Sequence, residues 1–383
     1  MSDKVKGINT VCIHSGELHD LEYGGAVSPL YMATSYDYQV KSGDLYPRYF
    51  NTPNQQALCQ KISDLEHCEA SLIFGSGMAA ITNALMAFLH SGDHIVVQTS
   101  IYGGTYHFLT ELCAHYGISH DFVDGSDQKA FSDKIKSNTK VIYIESPSNP
   151  LLEVIDLNMI SALAKSRDLV SIIDNTMASP VNQNPALFGV DVVVHSATKY
   201  MGGHSDILAG TISCSKAHRD RIFSSAKMFG ANLSDYTIWL LERSIKTMGL
   251  RVACHNANAQ FIAEWLEAHP NIAKVHYPGL KSHASHEIAK RQMKGFSGVI
   301  SFELAAGLNA EQFLEALRVI KRSLSFAGVE STALLPAATS HSIVGEQARK
   351  TMGISDHLIR LSVGIEDVED LIRDITQAIN VIK

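Results

Sequence analysis

Apolar residues follow two spacings along this chain. Short, nearly continuous apolar runs occur at SLIF (71–74), HIVVQ (94–98), KVIYIES (140–146), LVSIID (169–174) and DVVVHS (191–196), and each reads as a buried strand. Between them, Gln56–Glu66, Met78–Leu89, Thr105–Tyr116 and Met159–Ser166 repeat apolar residues at helical spacing. Strands apolar on both faces need cover on both sides, so this alternation predicts an α/β fold around a mainly parallel sheet. A long helical stretch around Tyr236–Ala268 leads to a second, smaller unit. There SGVISFEL (297–304) and HLIRLSVG (357–364) read as strands, and 310–320 and 367–381 as helices. Residues 1 to about 50 carry turn signals at Gly24-Gly25, Ser28-Pro29 and Tyr46-Pro47 with little periodicity, so they read as an arm that packs on something else. The expected division is an arm over 1–55, a large domain over 56–240 and a C-terminal small domain over 241–383.

Composition narrows the class. Of 383 residues, 45% are apolar and 19% charged, which is ordinary for a globular protein with a self-sufficient core. A formal net charge of −7 argues against general binding to nucleic acid or anionic membranes. No apolar run is long enough to span a bilayer, and MSDKVKGINT at the start lacks the hydrophobic segment of a signal peptide. The six cysteines are scattered without a CxxC pair, so reduced thiols in the cytoplasm are expected. His283 and His286 form a short histidine pair with no ligand cluster around it, and no metal site is expected.

Ligands of open parallel sheets bind beyond the carboxyl ends of the strands. The polar residues at those ends are Gly75-Ser76-Gly77, Ser146 to Asn149, Asp174 and Ser196 to Lys199. Gly75-Ser76-Gly77-Met78 lies between a strand and a helix, where free N–H groups and the helix dipole attract phosphate. The same residues fit a loose dinucleotide fingerprint, which also wants an acid ending the next strand. That strand ends in Gln98-Thr99 and Asp93 precedes it, which favours a phosphate monoester, with a purely structural turn as the bland alternative. Asp174 by itself fits a helix cap as well as a partner for a pyridine nitrogen. Lys199 sits at the buried mouth of the sheet beside Ser196 and Thr198, where desolvation would suit it to Schiff-base chemistry. An anion cradle, an amide, a carboxylate and a lysine together are the parts needed to hold pyridoxal 5'-phosphate.

With these residues in view, the sequence resembles the Cys/Met-metabolism (γ-family) pyridoxal-phosphate enzymes, the group of cystathionine γ- and β-lyases and methionine γ-lyase. The likeness is carried by GSGMAAI (75–81), YGGT (102–105), ESPSNP (145–150), DNT (174–176), HSATKY (195–200) and LIRLSVGIEDVEDL (358–371). It implies fold type I, the aspartate-aminotransferase-like architecture, with the cofactor in the large domain. It also implies that Lys199 is the Schiff-base lysine, Asp174 the pyridine-nitrogen partner and Tyr102 the tyrosine stacked on the ring. Gly77, Met78, Ser196 and Thr198 would hold the phosphate. Asn149 and Arg360 would hold the substrate α-carboxylate, and Ser325 would steady the lysine. Tyr46 and Arg48 resemble a pair that reaches the phosphate of a neighbouring subunit, which implies a homotetramer of active dimers.

The implied activity is carbon–sulfur bond cleavage by α,γ- or α,β-elimination on cystathionine, methionine or cysteine. The alternative is γ-replacement, as in a cystathionine γ-synthase or an O-acyl-homoserine sulfhydrylase. Three positions that are polar in cystathionine γ-lyases are Leu45, His107 and Leu324 here, and Gly104 stands where methionine γ-lyases commonly carry cysteine. An apparent one-residue insertion at Asn51-Thr52-Pro53-Asn54 alters the loop after Arg48.

Overall fold

The structure, a computed structural model, describes residues 7–39, 44–342 and 345–382. Seven strands form the first sheet: β1 (Ala70–Phe74), β2 (His94–Gln98), β3 (Ser119–Val123), β4 (Thr139–Glu145), β5 (Val170–Asp174), β6 (Val192–His195) and β7 (Gly210–Cys214). Their order is β1-β7-β6-β5-β4-β2-β3, and β7 alone runs antiparallel to its neighbours. Alternate residues of β4, β5 and β6 feed two cores. Tyr143, Ile172 and Val194 pack on one face, and Ile142, Ile173 and Val193 on the other. Both faces are therefore covered, as the continuous apolar runs require.

The second sheet holds β8 (Ile272–His276), β9 (Val299–Leu304), β10 (Lys321–Arg322), β11 (Thr332–Leu334) and β12 (Leu358–Ser362), in the order β10-β11-β12-β9-β8. Its core sits against Val368–Val381 and the far half of Met248–Glu267 through Leu371, Ile375, Ile379, Ile262 and Leu266.

Several elements differ from the periodicity. The stretch 105–116 is a short helix over Gly103–His107 followed by a wider π turn over Phe108–Cys113, with Phe108, Leu109 and Cys113 turned inward. The helix begun at 310 stops at Ala316. The Asp374 carboxylate accepts the N–H groups of Arg318, Val319 and Ile320 at 2.8–2.9 Å, so these donors need no helix. The stretch from Tyr236 is two helices, Asp235–Ile245 and Met248–Glu267. Strands β3, β7 and β8 escape the apolar pattern because β3 and β8 are polar, half-exposed edges and β7 begins at a glycine among small residues.

The arm packs on its own chain. Helix α1 (Ile8–His14) ends over Lys61, whose ammonium donates to the carbonyls of Cys12 and Ile13 at 3.0 Å each. Farther on, Ser28 Oγ donates to buried Glu242 at 2.8 Å. Helix α2 (Pro53–Glu66) starts three residues before the periodic pattern. A capping box between Thr52 and Gln55, with proline at the first helical position, nucleates it.

Candidate active site

The phosphate end is built where β1 turns into helix α3 (Gly77–Phe88). Ser76 caps that helix by accepting the N–H of Ala79, which leaves the N–H groups of Gly77 and Met78 as free first-turn donors. Glycine is needed at 77 because a Cβ there would stand 2.7 Å from Ser196 Cβ. The turn after β6 is thus pressed against the helix start. Ser196 donates its N–H to Thr176 Oγ1 at 2.7 Å. The Thr198 hydroxyl donates to Ala209 O and accepts from Ala209 N, both at 3.1 Å, which anchors the turn that carries Lys199.

Asp174 ends β5, is buried, and pairs in register with Glu145 on β4 and Val194 on β6. Its Oδ1 accepts the N–H and hydroxyl of Thr176 at 3.0 and 2.5 Å, while Oδ2 has no protein partner. Burial raises this carboxyl above its ordinary value, against the Thr176 hydrogen bonds and the charges of His195 and Lys199. A cation at Oδ2 would offset that burial. Lys199 Nζ donates to Ser325 Oγ at 2.6 Å and lies 4.9 Å from the centre of the Phe326 ring. Burial, with the Arg360 charge beside it, lowers the amine to about 8, although Asp174 pulls the other way.

Arg360, from the middle of β12, is buried and reaches across to the first sheet. One terminal nitrogen donates to Asn149 Oδ1 at 3.0 Å, and the other to Ser325 O at 2.6 Å. Its Nε is buried without a partner. Burial lowers the guanidinium to about 10. Ser325 and Ala327 hold φ of +76° and +63°, a conformation stabilised by the bonds from Lys199 and Arg360 and by Ala327 N–H on Ser362 Oγ at 2.8 Å. Phe326, between them, presents its ring to both cations, with Arg360 Cζ at 5.4 Å.

Tyr102 precedes the short helix after β2 and is partly open to solvent. Its ring lies over Gly104, where a Cβ would stand 2.5 Å from Tyr102 Cε1. Burial, then Glu145 and Asp174, raise the phenol above its ordinary value. The Tyr102 N–H donates to Glu145 Oε2 at 2.7 Å, and the Asn149 N–H to Glu145 Oε1 at 2.8 Å.

One opening therefore gathers Gly77, Met78, Ser196, Thr198, Lys199 and Asp174 with Tyr102, Asn149, Ser325 and Arg360. Tyr46 and Arg48 are not among them. Both are exposed, Arg48 donates to Lys227 O at 2.8 Å, and its guanidinium faces the rings of Tyr46 and Tyr49. Sequence reasoning passed over Glu145, Thr176 and Phe326. Glu145 carried a usable signal, since it ends an apolar strand just as Asp174 does.

Pyridoxal phosphate fits this donor set. Free helix-start N–H groups beside the Ser196 side chain suit its phosphate, the open Asp174 Oδ2 its pyridine nitrogen, and the desolvated Lys199 amine its aldehyde. Comparison with known proteins agrees. Residues 9–380 match the model of the family described as Cys/Met metabolism PLP-dependent enzyme. The chain is 42% identical over 378 residues to a cystathionine β-lyase of Lactococcus lactis subsp. cremoris, covering 97% of this chain and 98% of that one. It is 41% identical over 375 residues to a cystathionine γ-lyase of Bacillus subtilis, covering 97% and 98%. Among solved structures, cystathionine γ-lyase from Lactobacillus plantarum complexed with L-serine superposes with a TM-score of 0.95 at 39% identity, covering 98% of this chain and 99% of that one. With the site geometry and a match over almost its whole length, this chain belongs to the Cys/Met-metabolism family of PLP-dependent enzymes.

Proposed function

We propose that the chain is a carbon–sulfur lyase of sulfur amino-acid metabolism. In this reading Lys199 is the acid–base group, Asp174 the partner of the pyridine nitrogen, and the Asn149–Arg360 pair the clamp for the substrate α-carboxylate. The observation that carries this reading is the Lys199 amine at Ser325 Oγ, on the same loop residue whose carbonyl receives Arg360. The base is thereby tied to the clamp. Bound pyridoxal phosphate supplies an electron sink for charge developing at the α-carbon. Arg360, with its buried Nε free, can offer a carboxylate two parallel N–H groups and so fix the α-carbon relative to Lys199.

With its amine near 8, Lys199 can both take and return a proton close to neutral pH. The raised phenol of Tyr102 stays protonated there, which suits it to donate a proton to the departing sulfur. Direct loss of sulfur from the β-carbon needs one proton removal. Loss from the γ-carbon needs a second removal at the β-carbon, within reach of the same lysine. Both routes yield an α-keto acid and ammonia.

The recognition of the side chain falls to the rim. Leu324 is exposed and, with Leu314, Leu334 and Leu335, lines a pocket of about 280 Å³ that also includes Arg322 and Glu315. His107 lines a hollow of about 440 Å³ with Met78, Gly104 and Leu112. Leu45 is half-buried. Apolar groups at two of these three positions favour a short or apolar side chain on sulfur. Purified enzyme given cystathionine, methionine and cysteine is expected to release keto acid and thiol from at least one. Release from none, with turnover of an acylated homoserine plus a thiol, would overturn the lyase reading.

Tyr46 and Arg48 complete the phosphate end of a second copy in this reading, and two such dimers form a tetramer. Their exposure, away from the site of their own chain, supports it. Six free cysteines suit a reducing cytoplasm, and no helix among the described residues is long and apolar enough to cross a membrane.

A further inference from the structure

Glu145 is buried at the end of β4, in register with Asp174, and no lysine or arginine reaches it in hydrogen-bond distance among the described residues. A second buried carboxyl beside the first is costly without a cation. Its two oxygens are spent on two backbone N–H groups from separate loops: Tyr102 at 2.7 Å and Asn149 at 2.8 Å. Its own N–H donates to Gln98 Oε1 at 2.9 Å, which holds the backbone at that point. Asn149 in turn accepts from Arg360 at 3.0 Å. A continuous chain of hydrogen bonds thus runs from the Tyr102 backbone through Glu145 to the Asn149–Arg360 pair.

We infer that Glu145 is a positioning residue that yokes the Tyr102 loop to the Asn149–Arg360 clamp, setting the distance between the face of the cofactor ring and the substrate α-carboxylate. The inference rests on the proposed roles of Tyr102, Asn149 and Arg360. A carboxylate suits the task because it is acceptor-only and can take both N–H groups at once. An amide cannot, since its NH2 would oppose one of them. A simple packing group would fill the space but leave both N–H groups buried and unpaired.

The test compares Glu145→Gln with Arg360→Met in cofactor-loaded enzyme. Glycine, which carries the α-carboxylate and no leaving group, is titrated and followed by the change in bound-cofactor absorbance. Glu145→Gln should keep its cofactor content and thermal midpoint while the glycine dissociation constant and substrate KM rise about ten- to a hundredfold, with a smaller change in kcat. Glu145→Asp keeps the charge but spans less distance, and should fall between wild type and Gln. If Arg360→Met weakens glycine binding and both Glu145 variants leave it within twofold, the yoke is wrong and the clamp stands. If Arg360→Met also leaves it unchanged, the reading of the clamp itself fails. Loss of cofactor or folding in both Glu145 variants, with glycine affinity intact in the loaded fraction, would make the residue merely structural and overturn the inference.

Discussion

Lys199 and Arg360 face one opening from different supports. Lys199 stands on the turn after β6, beside Asp174 at the end of β5 and Gly77 at the start of α3. All three belong to the edge of one parallel sheet. Arg360 comes from a second sheet, and its partners Asn149 and Ser325 lie 211 and 35 residues away in the chain. The cofactor side is therefore held by strand ends whose spacing the sheet itself dictates. The substrate side is held by side chains that meet only after both sheets have formed, on a loop with two non-glycine residues at positive φ. Chemistry is placed on the rigid part and selection on the part that neighbouring contacts must hold in shape.

The largest expected effect breaks the cofactor side. Lys199→Ala should lower turnover at least about a thousandfold, with no compensating change in KM, because the acid–base group itself is lost. Steady-state kinetics on loaded protein would show it, and retained turnover would refute the assigned role. The next test asks whether one chain suffices for that side. Mixing inactive Lys199→Ala with a low-activity Arg48→Ala variant should restore roughly a quarter of wild-type activity. Half of randomly formed dimers are mixed, and each has one intact site. No recovery on mixing would mean that Arg48 does not serve a neighbouring copy.

On the substrate side, Arg360→Lys should raise KM about tenfold or more while cofactor binding stays unchanged, since a point charge replaces a planar fork. Equal losses of cofactor would erase the division between the two sides. The smallest effect concerns stability. Folding lowers the Lys199 amine from the usual 10.5 to about 8. Between those values the unfolded chain binds the extra proton, so stability of the cofactor-free protein rises with pH across that window. Below it the folded state bears the cost of a charged, desolvated amine. Cofactor-free Lys199→Met should therefore melt a few degrees higher than wild type at pH 7, and the gap should close towards pH 10. A gap that is flat with pH would contradict the depressed amine.

Much of the cofactor side was legible because it depends on local order. Continuous apolar runs announced β4, β5 and β6, and Asp174 and Lys199 followed directly from where those runs stop. Glu145 stood at an equivalent stop and was passed over, since its partners are backbone N–H groups that have no side-chain signature. The π turn at Phe108–Cys113 and the helix end at Ala316 were hidden for a similar reason. In the latter, Asp374 supplies acceptors from almost 60 residues away, overriding local helical spacing.

By itself the sequence determined the α/β class, the phosphate turn at Gly75-Ser76-Gly77 and the succession of acid and lysine at neighbouring strand ends. These follow from periodicity and from the rule that strand ends meet ligands. Only the tertiary structure decided that Arg360 reaches Asn149 and Ser325, that Phe326 lies between two cations, and that Tyr46 and Arg48 face away from their own site. Such contacts join residues far apart in the chain. They depend on how two sheets are set against each other, and no local spacing records that.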